Sequence, residues 1–205
     1  YIQNRTNIHY YDLSPNLINA LKATEDIRFE NHSGIDLRGL IRVVFKAGSA
    51  GGGSTLTQQL AKNLFHEKPK SKMDRVIQKI QEWIISVQLE RRYTKEEILA
   101  MYLNTVEFSS NAFGIKSATQ TYFAKTPDSL NIQESAVLVG MLQAPTKFNP
   151  ARNPKNSLAR RNIVLSQMNK YNFINDHEFD SIKALPTKLN YQMEDHNFGL
   201  ATYFR

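Results

Sequence analysis

The chain has 205 residues, with 26 Lys or Arg against 19 Asp or Glu and a formal net charge of +7. Hydrophobic residues make up 41% of it and charged residues 22%, which excludes a disordered chain and is typical of a domain with one substantial core. The lack of cysteine excludes disulfide bonds, thiolate metal sites and cysteine nucleophiles. No apolar stretch approaches the roughly 20 residues of a membrane-spanning helix. Because the chain starts at Tyr1 without a targeting segment, we expect a domain of a longer protein.

The positive net charge indicates an anionic partner, and it does not choose among nucleic acid, phospholipid headgroups and a phosphorylated substrate. Basic residues are spread along the chain, without a run of five or more like charges. No RNP, zinc-finger or helix-turn-helix signature occurs. We therefore expect no nucleic-acid partner.

Helical periodicity dominates the sequence and predicts a mainly α fold. In chain order, we predict helices over residues 13–24, 36–46, 56–65, 73–92, 95–104, 113–123, 132–142, 155–170 and 176–185. Thr94 and Glu97 form the capping-box pattern at the start of the fifth helix. On the fourth helix, one apolar stripe is predicted to face the core: Val76, Ile80, Trp83, Ile84 and Val87.

The first cluster with catalytic potential follows the first predicted helix. Glu25 and Asp26 are adjacent carboxylates, and His32 comes seven residues after the first of them. Such a set is suited to acid–base catalysis. The alternative is a solvated acidic helix end that leads into a turn.

The second cluster is a glycine run that leads into a helix through Ser54 and Thr55. Glycines allow close approach to a ligand, and the free N–H groups of a helix start favour anions. No Gly-Lys-Ser/Thr closes the run, so it is not a Walker loop. The helix carries a dense polar set: Gln58, Gln59, Lys62 and Asn63. A ligand site and a flexible linker explain this cluster equally well.

Two further clusters are cationic. Arg75, Lys79 and Glu82 share one flank of the fourth predicted helix, either as a salt-bridged surface or as part of a site. On the second predicted helix, a basic row recurs every four residues: Arg38, Arg42 and Lys46. This row is either a solvated helix side or one wall of an anion site.

Together these clusters resemble the glycosyltransferase domain of class A penicillin-binding proteins, which also occurs as monofunctional peptidoglycan transglycosylases. The family's first motif, E-D-x-x-F-x-x-H-x-G, is matched by Glu25, Asp26, Phe29, His32 and Gly34. Its second motif, G-G-S-T-[LI]-T-Q-Q-x-x-K-N, matches residues 52–63 without a gap, and its fourth, K-x-E-I-L-x-x-Y-L-N, matches residues 95–104. The resemblance covers about residues 17–170.

The sequence departs from the family pattern in two places. The third motif is usually R-K-x-x-E, and Gln78 stands here where the family has arginine. Arg75, one turn earlier on the same flank, is our candidate for the missing cation. Residues 108–114 also lack the glycine that usually follows the aromatic residue, and there we expect local loop variation without loss of activity.

The resemblance implies a two-lobed, lysozyme-like α fold with a smaller jaw lobe, placed roughly at residues 42–75 of a single domain that spans residues 1–205. It also implies polymerisation of lipid II into glycan strands at the outer face of the bacterial cytoplasmic membrane, with inversion and release of undecaprenyl pyrophosphate. The implied partners are lipid II, the growing strand and the membrane surface. A transpeptidase domain is expected in the parent chain, and the membrane anchor is expected outside this fragment.

The family correspondence also implies roles for individual residues. Glu25 corresponds to the general base, and Glu82 to a second essential carboxylate that holds cations or a metal. Substrate-binding positions carry over to Arg42, Gly53, Ser54, Thr55, Gln58, Gln59, Lys62, Asn63, Lys79 and Gln143. Arg75 joins this set as our own candidate and not by correspondence with the family motif. Supporting positions carry over to Asp26, Phe29 and His32. A divalent metal, Mg²⁺ or Mn²⁺, is expected, and its ligands are not assigned.

Two alternatives stay open from the residues. A lysozyme-like glycoside hydrolase or lytic transglycosylase would also use two carboxylates on an α scaffold. A domain that binds lipid II or membrane without turnover would act as a scaffold. The many cations favour the glycosyltransferase over the hydrolase, because a neutral glycosidic leaving group does not need them.

Overall fold

The computed structural model describes residues 7–45, 53–65, 69 and 71–192, with the backbone alone for residues 42–45. Its helices are α1 (Pro15–Glu25), α2 (Leu37–Phe45), α3 (Leu56–Phe65), α4 (Lys72–Arg92), α5 (Lys95–Thr105), α6 (Gly114–Phe123), α7 (Ile132–Leu142), α8 (Pro154–Lys170) and α9 (Asp176–Ala184). Within these ranges the only β pairing is an isolated bridge between Glu107 and Phe113. The mainly α prediction is confirmed, and each predicted helix end lies within two residues of the observed one.

Side-chain caps explain where several helices begin. Thr94 accepts a hydrogen bond from the Glu97 N–H at 3.2 Å, and the Glu97 carboxylate accepts one from the Thr94 N–H at 2.8 Å. This is the predicted capping box of α5. The same reciprocal arrangement opens α7 at Asn131 and α9 at Asn175.

The core is centred on α1, α7 and α8, which pack against one another. Leu17 and Leu21 of α1, Leu138 of α7, and Val164 and Leu165 of α8 are fully buried there. Burial of each such side chain contributes about 1.5–3 kcal/mol. This three-helix core supports the exposed end of α1, where the first candidate cluster lies.

The prediction for the core-facing stripe of α4 is wrong. Val76, Ile80 and Ile84 are 54%, 51% and 55% exposed. The buried residues of α4 are Gln78, Glu82, Ser86 and Leu89, and the first three of them are polar. The periodicity of the helix is as predicted, but the helix is turned so that its polar face meets α3. Hydrogen bonds to neighbouring side chains compensate for burial of this face, as described below.

The segment that departs from the family pattern forms a tight turn. Ser109, Ser110 and Asn111 have φ of 63°, 53° and 60°, so three consecutive non-glycine residues are left-handed. The Asn149 side-chain amide donates to the hydroxyls of Ser109 at 3.3 Å and Ser110 at 3.0 Å. It also donates to the Tyr122 hydroxyl at 3.0 Å. These bonds hold the turn without the family's usual glycine.

The predicted jaw lobe, roughly residues 42–75, lies partly outside the described residues, as do Lys46 and the side chain of Arg42. Of that range, the structure describes the end of α2, all of α3 and the start of α4. Within the described ranges, none of the helices combines the length and the apolar content that crossing a bilayer requires.

Candidate active site

A cleft of about 730 Å³ opens between the end of α1, the start of α3, α4 and α8. Most of the residues predicted for the site line it: Glu25, Asp26, Gly53, Ser54, Thr55, Gln58, Gln59, Lys62, Arg75, Glu82 and Gln143. They come from four stretches of the chain, so the fold brings together residues separated by more than a hundred positions.

Glu25 ends α1 and is half-buried at the cleft. Its Oε2 accepts a hydrogen bond from Nε2 of Gln59 at 2.9 Å. Oε1 of Gln59 in turn accepts a hydrogen bond from the Tyr102 hydroxyl at 2.9 Å. One carboxylate oxygen is therefore engaged by the protein. The described residues leave the other without a hydrogen bond, which is the arrangement that a general base needs.

Asp26 lies directly behind Glu25 and joins two elements. Its buried carboxylate bonds Nε2 of His32 at 2.9 Å and accepts the N–H of Leu56 at 3.1 Å. Leu56 is the first residue of α3, so a negative charge is placed at the start of that helix, where it is stabilising. The rings of Phe29 and His32 meet edge to face with centroids 6.1 Å apart. Phe29 and His32 thus support Asp26 from outside the cleft lining.

Thr55 caps α3 and connects it to Gly34. The Thr55 hydroxyl accepts from the Gln58 N–H at 3.2 Å and donates to the Gly34 carbonyl at 2.7 Å. The Gln58 side-chain amide donates to the same carbonyl at 3.1 Å. Gly34 has φ +88°, and a Cβ on it would lie 2.8 Å from the Ser86 carbonyl. Only glycine fits this close approach to α4.

Glu82 is the centre of a cationic network. It is 2% exposed, and its two oxygens accept from Nη1 of Arg75 at 2.8 Å and Nζ of Lys79 at 3.1 Å. Burial raises the pKa of Glu82, but the hydrogen bonds and charges of Arg75 and Lys79 outweigh burial and hold the pKa below its usual value. Glu82 therefore stays ionised and fixes both cations.

The ammonium of Lys79 is fully engaged. Besides Glu82, it donates to the Ser54 hydroxyl at 2.7 Å and to Oε1 of Gln58 at 2.9 Å. A lysine has three donors, so Lys79 lies beneath the cleft as a link between α4 and the start of α3. It does not line the cleft itself.

Arg75 lies one turn before Gln78, the residue that stands where the third family motif has arginine. It is partly exposed at the cleft, and its Nη1 also donates to Oε1 of Gln78 at 3.0 Å. Gln78 is buried, and its Nε2 has no partner within the described residues. Gln78 thus orients Arg75, and the role of Arg75 as the replacement cation stays a prediction.

The other predicted residues differ in position. Lys62 is exposed at the cleft and has no ion pair in the described part of the chain. Gln143 lies at the cleft just after α7. Asn63 is exposed on α3 and does not line the cleft.

Sequence reasoning missed one wall of the cleft, which α8 provides through Arg160, Ile163, Gln167, Lys170 and the adjacent Tyr171. Burial lowers the pKa of Arg160, while the negative charge of Glu25 acts in the opposite direction. Nε of Arg160 is buried without a partner within the described ranges. The sequence feature that could have revealed this wall is the i, i+3, i+7, i+10 spacing of the α8 residues, which places them on one face of the helix. The buried Arg161, Val164 and Met168 lie on a different face.

A family model described as "Transglycosylase" matches residues 1–169. The chain belongs to the transglycosylase family. This membership confirms the resemblance drawn from the motifs, and it makes the chain a glycosyl-transferring enzyme domain. "Penicillin-binding protein 1A/1B" of Bacillus subtilis is 42% identical over 193 residues, which cover 91% of this chain and 20% of that protein. "Penicillin-binding protein 1A" of Escherichia coli is 37% identical over 191 residues, with 91% and 22% covered.

The transglycosylase chain spans about a fifth of the length of these relatives. A crystal structure of penicillin-binding protein 1A from Haemophilus influenzae matches 92% of this chain and 19% of that chain, with a TM-score of 0.56 and 24% identity. That match supports the fold assignment.

The described residues contain no group of three or more His, Cys, Asp or Glu side chains that is arranged to hold a metal ion. Glu82, the carboxylate that the family correspondence links to cations or a metal, is already bonded to Arg75 and Lys79. These residues therefore do not form a metal site on their own, and the expected divalent metal stays a prediction.

Proposed function

We propose that this transglycosylase domain polymerises lipid II into glycan strands. The 4-hydroxyl of the acceptor GlcNAc attacks C1 of MurNAc on the growing strand, the C1–O bond to undecaprenyl pyrophosphate breaks, and the anomeric centre inverts. The observation that carries the proposal is the shared cleft: a half-buried carboxylate, Glu25, lies in one cavity with the cations Lys62, Arg75 and Arg160.

Glu25 is the proposed general base. A sugar hydroxyl is a weak nucleophile, so its proton must be removed as it attacks. Gln59 engages Oε2 of Glu25, and Oε1 is left to take the proton. Because the nucleophile approaches the face opposite the leaving group, a single displacement with one base gives the inverted product.

The leaving pyrophosphate needs positive charge rather than a general acid. Lys62 and Arg75 are the proposed side-chain contacts, because both line the cleft and both are exposed. Two backbone donors in the first turn of α3, at Leu56 and Gln58, are already bonded to Asp26 and Thr55. These two N–H groups are therefore not free to bind the leaving group, and we assign its stabilisation to the side chains.

We also propose that the outer face of α4 meets a bilayer. Its exposed apolar side chains recur at helical spacing: Met73, Val76, Ile77, Ile80 and Ile84. A lipid substrate keeps its polyprenyl chain in the membrane, and the net charge of +7 favours an anionic surface. The proposed location is the outer face of the cytoplasmic membrane, in a longer chain that also carries a transpeptidase domain.

The test is incubation of the full-length protein in detergent with labelled lipid II, followed by separation of the products by size. The proposal predicts a ladder of glycan strands. A parallel sample with purified peptidoglycan sacculi tests the hydrolase alternative. Release of short fragments from the sacculi, without a ladder from lipid II, would contradict the proposal.

A third sample contains EDTA and tests the expected divalent metal. Loss of the ladder, with recovery on addition of Mg²⁺ or Mn²⁺, would support the metal requirement. A ladder of unchanged intensity in EDTA would remove the requirement and leave the proposed transfer reaction intact.

A further inference from the structure

We propose that Tyr102 is a positioning residue that acts on the general base through Gln59. Its hydroxyl fixes the Gln59 side-chain amide so that Nε2 faces Oε2 of Glu25. Oε1 of Glu25 is thereby aimed at the acceptor hydroxyl. This inference rests on the proposed function, in which Glu25 accepts that proton.

The geometry is a linear chain of two hydrogen bonds. The Tyr102 hydroxyl donates to Oε1 of Gln59 at 2.9 Å, and Nε2 of Gln59 donates to Oε2 of Glu25 at 2.9 Å. Both distances lie in the normal range for such bonds. The Tyr102 hydroxyl makes no other hydrogen bond within the described ranges. Three residues from α5, α3 and α1 are thus connected in one direction, from the core to the cleft.

Tyr102 reaches the site only through this chain. It is 2% exposed and belongs to the hydrophobic core, where it packs among side chains such as Ile98 and Leu103. No residue of α5 lines the cleft. A phenylalanine would fill the same volume, and a buried hydroxyl is unfavourable unless it is bonded. Among the residues that the structure describes, the one bond of this hydroxyl goes to Gln59, a cleft residue, which gives the hydroxyl a role beyond packing.

The direction of the chain follows from the charges. An ionised Glu25 accepts hydrogen bonds only, so it favours the amide orientation in which Nε2 faces it. Burial, together with the negative charge of Glu25, raises the pKa of Tyr102 well above its ordinary value. The phenol therefore remains protonated and always has a hydrogen to donate to Gln59. Without that donor, the amide of Gln59 is held only by its bond to Glu25, so the positions of both side chains are less fixed.

The test is steady-state kinetics of Tyr102→Phe in the full-length protein with lipid II. We expect kcat to fall about tenfold to a hundredfold, since a small misplacement of a catalytic group has effects of that order. KM should change by less than about threefold, because Tyr102 does not touch the substrate. The rate is normalised to the folded fraction measured in the same sample, so partial unfolding does not enter kcat.

Tyr122→Phe is the matched control. Tyr122 is equally buried, and its hydroxyl donates to the Phe108 carbonyl at 2.9 Å, away from the cleft. This variant loses one buried hydroxyl, as Tyr102→Phe does, and its kcat per folded molecule should equal that of the wild type. Equal losses of kcat in the two variants would overturn the positioning role, because they would reflect loosening of the core.

A double-mutant cycle tests whether Tyr102 affects kcat through the side chain of Gln59. Gln59→Met removes the amide and nearly keeps the side-chain length. In this background, Tyr102→Phe should cause no further loss of kcat, since its effect passes through the amide. Independent losses that multiply would overturn the proposal. Full activity of Glu25→Gln would instead overturn the proposed function. If Glu25→Gln is inactive but the kcat of Tyr102→Phe equals that of the wild type, only the positioning role of Tyr102 is overturned.

Discussion

α7 and α4 bury opposite kinds of side chain. α7 buries apolar groups such as Val137, Leu138 and Met141 in the core formed with α1 and α8. α4 buries Glu82 and Ser86 against its neighbours, while isoleucines on its other face are about half exposed. Both helices belong to one small domain, so the difference in their buried side chains reflects their roles. α7 stabilises the core, and α4 holds charged groups at the cleft.

A buried polar face is unfavourable unless its groups are bonded. On α4, Glu82 has both cations as partners, and Lys79 carries the network on to Ser54 and Gln58. The arrangement contributes less to stability than an apolar face would, but it fixes charged groups at the floor of the cleft. Functional sites commonly depart from the rule that apolar side chains are buried and polar ones are exposed. α4 departs from this rule, whereas α7 follows it.

The largest expected effect on folding comes from α7. Leu138→Ala should reduce the free energy of unfolding by about 2–5 kcal/mol, because it removes fully buried methyl groups and leaves a cavity. Denaturant titration measures this change. The kcat per folded molecule should stay at the wild-type value. A loss of less than 1 kcal/mol, or a selective loss of kcat, would contradict the division between the two helices.

The outward face of α4 should matter for membranes and not for folding. Ile84→Ser should change the free energy of unfolding by less than about 0.5 kcal/mol. It should weaken binding to anionic vesicles about tenfold or more, as expected for one apolar side chain that loses its lipid contact. Leu185→Ser, at a similarly exposed residue after α9, is the control and should bind as the wild type does. Equal vesicle binding by all three proteins would contradict the proposed membrane face.

The buried carboxylate of α4 should make stability depend on pH. The folded-state pKa of Glu82 is lowered from 4.5, so its contribution is complete above that pH and is lost as the pH falls through the folded pKa. At pH 7, Glu82→Gln should reduce the free energy of unfolding by about 1–3 kcal/mol through weaker hydrogen bonds to Arg75 and Lys79.

Denaturant titrations of wild type and Glu82→Gln at pH 7 and at several values below 4.5 measure this dependence. The difference in the free energy of unfolding between the two proteins should become smaller in acid. Glu107→Gln, at an exposed carboxylate outside the cleft lining, is the control and should change the free energy of unfolding by less than about 0.5 kcal/mol at pH 7. If the difference in free energy of unfolding between wild type and Glu82→Gln stays constant or grows in acid, the assignment of Glu82 as an ionised group is contradicted.

The smallest expected effect concerns Ala124, a residue outside the cleft lining with an unfavourable backbone conformation. Ala124 ends α6 with φ 50° and ψ 44°, a left-handed conformation that is unfavourable for any residue with a Cβ. Ala124→Gly should stabilise the fold by up to about 1 kcal/mol and leave kcat unchanged. Thermal unfolding measures the gain. Destabilisation would show that the Ala124 methyl group has a packing role.

The sequence sufficed for the helices, because periodicity and caps such as Thr94 are local signals. It did not suffice for the face of α4, since the pattern of isoleucines looks the same whether they meet a core or the exterior. Motif resemblance identified Glu25 and Glu82 but could not join Gln59 to Tyr102, which are 43 positions apart. The α8 wall was missed because its residues match no motif and converge on the cleft only through tertiary packing.

The proposed transfer reaction depends most on Glu25. The decisive measurement is the rate of lipid II polymerisation by wild type, Glu25→Gln and Glu30→Gln, together with the binding of labelled lipid II by fluorescence anisotropy. Glu30 is a nearby exposed carboxylate that pairs with Lys22, and its variant is the matched control. If Glu25 is the general base, Glu25→Gln should lose about 10²-fold to 10⁴-fold in rate with nearly unchanged binding, while Glu30→Gln should polymerise like the wild type. A Glu25→Gln variant that polymerises at the wild-type rate would contradict that role of Glu25.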